Sequence, residues 1–317
     1  MEAAARGDSL ESETGALAVS VDVEDWYHAP PVSGAPFSPY ESAPAFLASW
    51  EGEYDYLTEP TIRTLDLLDD FDVTATFFVV ASVVEHYPGL VERIADRGHE
   101  IGCHGLHHEC AIHPDTKEPR FSPDDYRDRI ERARSMLEAA SGQTVTGFRA
   151  PAVYVAGWML DVLADLGFDY DSSVARNSIY NKTDQSLERV GRTPYVPVQG
   201  TLDPGGDRDL LELPWPYFEA GRVRIPAGGG PLLRLFGRRV IGAGLDQSLR
   251  VGDSMFYFHP LDIARQPFPS VGTANRRPAF WLFKGERAEK RIRGLLRSIS
   301  AETATCGEIA HRHLDRA

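Results

Sequence analysis

The chain has 317 residues, enough to bury a substantial core as one large α/β domain or two small ones. Hydrophobic residues make up 42% of it and charged residues 25%, which is typical of a folded globular protein and excludes wholesale disorder. The formal net charge of −14 argues against nucleic acid as a partner, because phosphate binding requires clustered Lys and Arg; it fits a neutral or cationic substrate.

Three cysteines, Cys103, Cys110 and Cys306, are too few and too odd in number for a disulfide framework, which indicates a reducing compartment. Residues 1–14 are polar and acidic and lack the basic start and apolar centre of a secretory signal. The longest apolar stretch, 73–84, is too short to span a bilayer. We therefore expect no transmembrane segment and a cytoplasmic location.

Short β-rich runs alternate with helical patterns through the first half of the chain. Strands are predicted at 17–21, 74–80 and 99–103, and amphipathic helices at 61–70 and 89–97. Each strand and helix together have about the size of one repeat of a parallel α/β fold. The alternation therefore predicts a parallel sheet or barrel with helices outside it.

The second half begins with a long predicted helix at 123–140. Ser122 caps its start, proline occupies its first position and Gly142 ends it. Further strands are predicted at 144–149, 168–171, 210–213 and 254–258. Long irregular stretches are predicted at 27–55, 174–209 and 223–249, and loops of that length inside a domain are usually functional.

The chain ends with a basic amphipathic helix, predicted at 284–300. The polar segment after it is expected to be frayed. The predicted organisation is therefore a flexible N-terminal tail at 1–15, one domain at 16–300 and a C-terminal tail at 301–317.

A cluster of histidines directly follows the predicted strand that ends at residue 103. His104 and His108 are four residues apart, so on one helical turn both imidazoles point the same way and can bind one metal ion. Surface histidines also cluster by chance, but this pair lies at the end of a strand, where parallel α/β folds build their sites. His107 is expected to point away from its neighbours.

Acidic residues end the first predicted strand. A hydrolytic metal site needs a third protein ligand, and Asp22, Glu24 and Asp25 are the candidates. Such acids can also merely end a strand or cap the next turn. Two carboxylates this close have a chemical rationale, however, since one can bind the cation while the other takes a proton from water.

Five motifs then occur in an order that resembles the polysaccharide deacetylase family, also called the NodB homology domain or carbohydrate esterase family 4. They are Ser20-Val21-Asp22-Val23-Glu24-Asp25-Trp26, the segment Gly98 to His108, Phe148-Arg149-Ala150-Pro151, Tyr170-Asp171-Ser172-Ser173 and Phe256-Tyr257-Phe258-His259-Pro260. The resemblance spans 17–260, and five motifs in order are far more specific than any one of them. The Asp-Val-Glu-Asp-Trp form is most similar to the subgroup found with bacterial exopolysaccharide synthesis genes.

The resemblance implies a deformed (β/α)7-type barrel with long inserted loops and a C-terminal helix. It implies a metal-dependent hydrolase that removes N-acetyl groups from the amino sugars of a glycan, with one divalent cation, expected to be zinc, on His104, His108 and an acid. It also implies that Asp22 is the catalytic base and that His259 is the general acid for the leaving amine. Arg149 would pair with Asp22 and keep it ionised.

The first motif departs from the family pattern. Family members usually place the base and the metal-binding acid side by side, whereas Val23 separates Asp22 from the next acid here. Because alternate residues of a strand share a face, Glu24 is the expected ligand if the strand continues that far. If the chain turns at Val23, Asp25 is equally plausible.

Two other functions stay open. A similar fold and metal site open cyclic or small-molecule amides in allantoinase-like hydrolases, and a non-catalytic carbohydrate-binding relative would keep the fold without the reaction. Such a relative tends to lose the base or a ligand, and all of them are present here. Four aromatic residues can either stack on sugar faces or pack in the core: Trp26, Tyr27, Trp215 and Tyr217.

Overall fold

The centre of the molecule is a parallel sheet built around its first strand, β1 (Leu17–Val23). The computed structural model describes residues 14–28, 42–52, 55–269 and 282–315. Every residue of β1 is buried, which fits its apolar sequence, because a parallel strand covered on both faces has no solvent side. The other strands are β2 (Thr76–Val79), β3 (Glu100–Cys103), β4 (Gly147–Phe148), β5 (Tyr170–Asp171), β6 (Leu211–Glu212), β7 (Tyr217–Ala220), β8 (Val223–Pro226), β9 (Ser254–Phe258) and β10 (Thr303–Ala304).

The strand order of the sheet is β10-β1-β2-β3-β4-β5-β6, and β9 also pairs with β1. All of these pairs are parallel, with Asp22 opposite Phe78 and Phe78 opposite Gly102. The carboxyl ends of the strands therefore meet at one edge of the sheet. A separate antiparallel hairpin is formed by β7 and β8. The predicted α/β class with a parallel sheet is confirmed.

Helices follow most of the strands and pack against the sheet, as α5 does on β3 and α7 does on β9. They are α1 (Ala43–Ser49), α2 (Thr58–Asp69), α3 (Val83–His86), α4 (Leu90–Asp96), α5 (Pro123–Ser141), α6 (Gly157–Asp165), α7 (Gly230–Leu249), α8 (Pro260–Ile263), α9 (Glu286–Leu296) and α10 (Cys306–Leu314). Two single 3₁₀ turns lie at Trp26–His28 and Pro151–Val153.

The long helix α5 begins and ends as its sequence predicts. The Ser122 hydroxyl accepts a hydrogen bond from the backbone N–H of Asp125 at 3.1 Å, which satisfies one of the free donors of the first turn. Gly142 ends the helix with φ 70°, a left-handed conformation that favours glycine. The helix predicted near the C-terminus, at 284–300, is also confirmed, as α9.

The stretch 223–249 was expected to be irregular, and that prediction is wrong. It holds strand β8 and the 20-residue helix α7. The glycines at 237, 242 and 244 hide the helix in a sequence pattern, because glycine is unfavourable in helix interiors. Buried Ile241, Leu245 and Leu249 nevertheless recur every four residues and give the helix an apolar face. By contrast, 174–209 is irregular, as predicted.

The end of the chain was expected to fray after residue 300, and this too is wrong for the described residues up to 315. Strand β10 pairs with the start of β1, with Leu17 opposite Thr303. Helix α10 follows with a capping box, in which the Thr305 hydroxyl accepts from the N–H of Glu308 and the Glu308 carboxylate accepts from the N–H of Thr305. Two hydrogen bonds and the buried Ile309 hold this segment in place. The segment is too short for a periodic pattern of apolar residues to indicate its structure.

Two further predictions fall partly on residues outside the described set. The predicted flexible tail 1–15 includes residues 1–13, and the predicted irregular stretch 27–55 includes residues 29–41 and 53–54. Within that stretch, α1 begins at Ala43, with the Ser42 hydroxyl accepting from the N–H of Ala45. Of the helices described, none is long and apolar enough to cross a bilayer.

Candidate active site

A cavity of about 200 Å³ opens at the carboxyl edge of the sheet. It lies where β1, β3, β4 and β9 end, which is where α/β barrels place their functional groups. Its lining combines acids, imidazoles, aromatic rings and one lysine: Asp22, Glu24, His104, His108, Ala150, Ala152, Val153, Tyr180, Lys182, Trp215, Pro231, Leu232, Tyr257 and His259.

Strand β1 supplies two of the acids. Asp22 is still paired with β2, and Glu24 follows the last paired residue, Val23. Because side chains of alternate residues point to the same face of a strand, the carboxylates of Asp22 and Glu24 both reach the cavity. They are 4% and 6% exposed, so both are almost completely withdrawn from solvent.

Asp25 lies on the other side of the chain. One carboxylate oxygen accepts the N–H of Trp26 at 2.7 Å, and the other accepts the Tyr87 hydroxyl. Burial raises the pKa of the Asp25 carboxyl to about 7, in spite of these two hydrogen bonds. The two rival acids of the sequence are thus separated: Glu24 faces the histidines, and Asp25 anchors the turn that follows β1.

Glu24, His104 and His108 form a buried cluster whose candidate ligand atoms all lie within 4.8 Å of one another. Nε2 of His108 lies 2.5 Å from a carboxylate oxygen of Glu24, without the alignment of a hydrogen bond. Burial alone would raise the pKa of Glu24, but the neighbouring imidazoles, His108 above all, hold it well below its usual range. Glu24 is therefore a carboxylate at neutral pH.

The histidine pair does not lie on a helical turn, as the four-residue spacing suggested. Residues 104–108 form a bend, with Gly105 at φ 79° and His108 at φ 63°. A left-handed conformation is uncommon for a residue with a side chain, and such strain is typical of functional sites. The bend brings the two imidazole centroids to 5.0 Å from each other. His107 lies outside the cavity, as expected, and is half-buried.

The imidazole of His104 is held in one tautomer. Its Nδ1 lies 2.8 Å from the backbone oxygen of Arg149, and a carbonyl oxygen can only accept, so Nδ1 carries the proton. Nε2 therefore keeps its lone pair. Burial lowers the pKa of His104 to about 4, which keeps the ring neutral. A backbone carbonyl that orients a neutral imidazole in this way is the usual support of a metal-binding histidine.

These three side chains fit a divalent cation. They offer two imidazole nitrogens and one carboxylate oxygen, the set found in catalytic zinc sites that keep a fourth position open. The fit rests on the fixed tautomer of His104 and on the buried Nε2 of His108, which has no hydrogen-bond partner among the described residues. A cation placed between this nitrogen and the Glu24 carboxylate would satisfy both buried groups.

Asp22 is paired with Arg149, whose side chain is fully buried. One guanidinium nitrogen lies 2.6 Å from a carboxylate oxygen of Asp22 and 3.0 Å from the Ser20 hydroxyl. The other guanidinium nitrogens donate to the carbonyl and the hydroxyl of Ser172. The Cζ of Arg149 lies 4.1 Å from the Phe78 ring centroid. So many partners fix the direction of the Asp22 carboxylate, and removing either member of a buried pair is costly.

His259 enters the cavity from the end of β9. Its Nε2 lies 3.4 Å from a carboxylate oxygen of Glu24, and its Nδ1 lies 3.4 Å from a carboxylate oxygen of Asp262. Burial alone would lower the pKa of His259, but the Asp262 hydrogen bond and the Glu24 charge raise it to about 9. The imidazole is therefore protonated at neutral pH in this arrangement.

Asp262 and Arg234 are site residues that the sequence did not single out. The Asp262 carboxylate accepts a hydrogen bond from the backbone N–H of His259 at 2.9 Å and lies 2.8 Å from Nε of Arg234. The side chains of Asp262 and Arg234 are each 3% exposed. Asp262 is three residues from His259, and the Pro260 between them is a signal for a short capped helix. Arg234 precedes His259 by 25 residues and lies within a stretch that was expected to be a loop. No local pattern could therefore have indicated it.

The aromatic residues proposed as a sugar-binding wall divide between core and cavity. Trp26 and Tyr27 are each 1% exposed and pack on Phe46, so core packing is the alternative that holds for these two. Tyr217 lies on β7 outside the cavity, beneath the Arg192 guanidinium. Trp215 lines the cavity. Two rings that were not among the four sugar-stacking candidates, Tyr180 and Tyr257, line it as well.

A helix-covered parallel sheet with a buried cation-binding cluster at its carboxyl edge, beside a second carboxylate, defines an α/β barrel protein with a candidate hydrolytic metal centre. Residues 51–170 match the family model described as polysaccharide deacetylase, and residues 184–306 match a domain of unknown function, DUF3473. Over residues 51–170 the chain therefore has the sequence pattern of the polysaccharide deacetylase family.

Curated relatives agree with this assignment. The chain is 27% identical over 160 residues to a peptidoglycan-N-acetylglucosamine deacetylase from Bacillus cereus, covering 46% of this chain and 55% of that protein. It is 26% identical over 163 residues to a peptidoglycan deacetylase from Helicobacter pylori, covering 48% and 51% of the two chains. The chain thus spans about half the length of these relatives.

Solved structures share the fold. A protein from Mycobacterium smegmatis assigned to the polysaccharide deacetylases superposes with a TM-score of 0.63 and 23% identity, covering 100% of this chain and 95% of that one. A Puue allantoinase superposes with a TM-score of 0.54 and 16% identity, covering 97% and 92%. At these identities the likeness concerns the fold alone, and it confirms the predicted deformed (β/α)7-type barrel.

Proposed function

We propose that this protein is a metal-dependent hydrolase that removes N-acetyl groups from amino sugars of a glycan or glycan precursor. One observation supports the proposal above the others. Asp22, a buried carboxylate outside the cation-binding cluster, lines the same cavity as Glu24, His104 and His108. Hydrolysis at a single cation needs this combination of three protein ligands and one free base.

In this proposal Glu24, His104 and His108 hold the cation. Zinc is the expected ion, because two imidazoles and a carboxylate suit its ligand preferences. When bound, a divalent cation supplies Lewis-acid chemistry at the acetamide carbonyl and lowers the pKa of water. Asp25 is not used as a ligand, because both of its oxygens accept hydrogen bonds elsewhere.

The proton transfers are assigned to Asp22 and His259. Asp22 accepts the proton of the attacking water, and Arg149 orients the carboxylate through its 2.6 Å contact. His259 donates a proton to the leaving amine, since the Asp262 and Glu24 carboxylates raise its pKa to about 9 and so keep it charged. The base and the acid thus have different charge environments, a feature that separates their roles.

The test is acetate release from N-acetylated oligosaccharides by the native protein and by Asp22→Asn. The substitution preserves shape but removes proton acceptance, so we expect the rate to fall by about 10²- to 10⁴-fold. Metal content should stay at one equivalent in both proteins, which also shows that the variant is folded. Asp246→Asn, an exposed change on α7, is the control and should behave as native.

Three outcomes would contradict the proposal. Unchanged acetate release by Asp22→Asn removes Asp22 from the reaction. Hydrolysis of allantoin in place of the oligosaccharides would favour the allantoinase-like alternative, and glycan binding without any release would favour a non-catalytic relative. The cytoplasmic location, the exopolysaccharide subgroup and the flexible N-terminal tail at 1–15 stay predictions.

A further inference from the structure

Lys182 is the one lysine or arginine among the residues that line the cavity. Its ammonium donates a hydrogen bond to the backbone oxygen of Ala152 at 2.8 Å. It also lies 4.9 Å from the Tyr180 ring centroid and 5.4 Å from that of Tyr154. An ammonium has three donors, and this network uses only one of them.

No carboxylate among the described residues forms an ion pair with Lys182. Burial, with a smaller contribution from the charge of Lys117, lowers the pKa of its ammonium to about 8, although Cys110 and Glu24 act in the opposite direction. A lysine that loses water without gaining a counter-charge is unfavourable on its own. An anion bound beside it would remove that penalty.

A second lysine, Lys117, lies near Tyr154, the ring that Lys182 also approaches. The Lys117 ammonium is 5.2 Å from the Tyr154 ring centroid and donates to the carbonyl of Pro114. It too forms no ion pair within the described part of the chain. Asp115, exposed on the same loop, is near enough to influence Tyr154 but pairs with neither lysine. Two ammonium groups thus lie near the ring of Tyr154, the residue that follows Val153 of the cavity lining.

Building on the proposed function, we propose that Lys182, with Lys117 behind it, binds a carboxylate of the glycan. The substrate class is then an acidic glycan, in which the N-acetylated sugar carries or neighbours a carboxylate. The whole chain, with a net charge of −14, repels such a polymer at long range. The contact is therefore local and lies in a partly buried site, where screening by salt is weak.

Lys182 also has a structural task that the experiment must separate from binding. The carbonyl it holds belongs to Ala152, and both Ala152 and Val153 have left-handed conformations, with φ 50° and 54°. If Lys182 only supported this strained turn, its loss would lower kcat on every substrate alike. If it binds a carboxylate, its loss raises KM on acidic substrates alone.

The experiment compares pairs of substrates that differ only in a carboxylate. Hyaluronan oligosaccharides, with glucuronate beside each N-acetylglucosamine, are set against their carboxyl-reduced forms. N-acetylmuramic acid glycans, which carry the carboxylate on the same sugar, are likewise set against their carboxyl-reduced forms. We expect the native protein to show a KM about tenfold lower for the acidic member of at least one pair, the range of one charge-assisted hydrogen bond. The pair that responds identifies the position of the carboxylate.

Variants then assign the preference. Lys182→Met should remove the difference in KM between the acidic and the neutral member of the pair, Lys182→Arg should retain most of it, and Lys117→Met should reduce it in part. The control is Lys284→Met. Lys284 likewise donates to backbone carbonyls and lies over an aromatic ring, Phe268, but outside the cavity, so its loss should leave the preference intact.

The results separate this inference from the proposed function. Equal KM values within both pairs, or equal falls in kcat for Lys182→Met on both members, overturn the carboxylate site while acetate release still supports the deacetylase. Absence of acetate release from every substrate overturns the deacetylase itself. If Lys182→Met does not fold, the native substrate pairs and Lys117→Met still decide the question.

Discussion

The two regions that build the cavity differ in how far apart their functional residues lie in the chain. Between residues 22 and 173, the functional groups lie at the end of a strand or within five residues after it, as Asp22 and Glu24 do at β1 and His104 and His108 do at β3. Between residues 182 and 262, Lys182, Arg234 and His259 come from three separate segments. In the proposed function, the first region would supply the cation site and the base, and the second would supply the acid and the surroundings of the substrate.

The difference teaches that a site built on adjacent strand ends uses residues that are close together in the chain. The residue that pairs with a single side chain of the site can instead come from a distant segment. Strand ends are close because the parallel ladder makes them so. Arg234 reaches Asp262 only because α7 packs against β9, a tertiary contact. Substitutions in the first region should therefore abolish the site, and those in the second should weaken or retune it.

The largest effect is expected from Glu24→Gln, compared with Asp25→Asn. Glu24 lies in the cation cluster and Asp25 does not, although they are adjacent in the chain. Glu24→Gln removes a charged ligand, so metal affinity should fall by more than about 100-fold and acetate release with it. Metal content after dialysis and titration with zinc measure this directly. Asp25→Asn should keep one equivalent of metal; loss of metal from Asp25→Asn with retention by Glu24→Gln would reverse the assignment.

A smaller effect, dependent on pH, is expected from Asp262→Asn. The Asp262 carboxylate helps to raise the pKa of His259, so its loss should lower that pKa. A general acid must be protonated, and the loss of kcat should therefore grow with pH, from a few-fold at pH 6 to more than about tenfold at pH 9. The pH profile of kcat measures it, with Asp246→Asn as control. A loss that is equal at all pH values would mean that Asp262 has a structural role only.

How much the sequence could predict follows the same division. The parallel sheet, α5 and the pairing of Asp22 with Arg149 follow from local patterns and from motif order. The helix α7 could not be predicted, because its glycines obscure its apolar face, and with it Arg234 was lost. The segment 301–315 has too little sequence to show periodicity, although its strand completes an edge of the sheet.

Within the site, the sequence could name candidates but not directions. Period-2 alternation correctly favoured Glu24 over Asp25 for the cavity side, since β1 continues to Val23. The helical-turn geometry of the histidines was wrong, because Gly105 allows a bend that no spacing rule indicates. The burial of Trp26 depends on Phe46, a contact made between distant segments, so composition alone could not separate core rings from cavity rings.

The smallest effect is expected outside both regions' contribution to the cavity, at the amino end of β1. At the start of β9, the Asp253 carboxylate accepts the N–H of Ala16 at 2.7 Å and lies 2.8 Å from Nε2 of His313. The His313 hydrogen bond holds the pKa of Asp253 below its usual value, so the carboxylate stabilises the fold above about pH 4 and this contribution is lost as the pH falls further. Asp253→Asn should lower the free energy of unfolding by about 1 kcal/mol at pH 7, a modest value because the pair is partly exposed, and by less at pH 3. Urea unfolding at the two pH values measures the difference. If Asp253→Asn lowers the free energy of unfolding by the same amount at pH 3 as at pH 7, the charge of the Asp253 carboxylate does not contribute to stability.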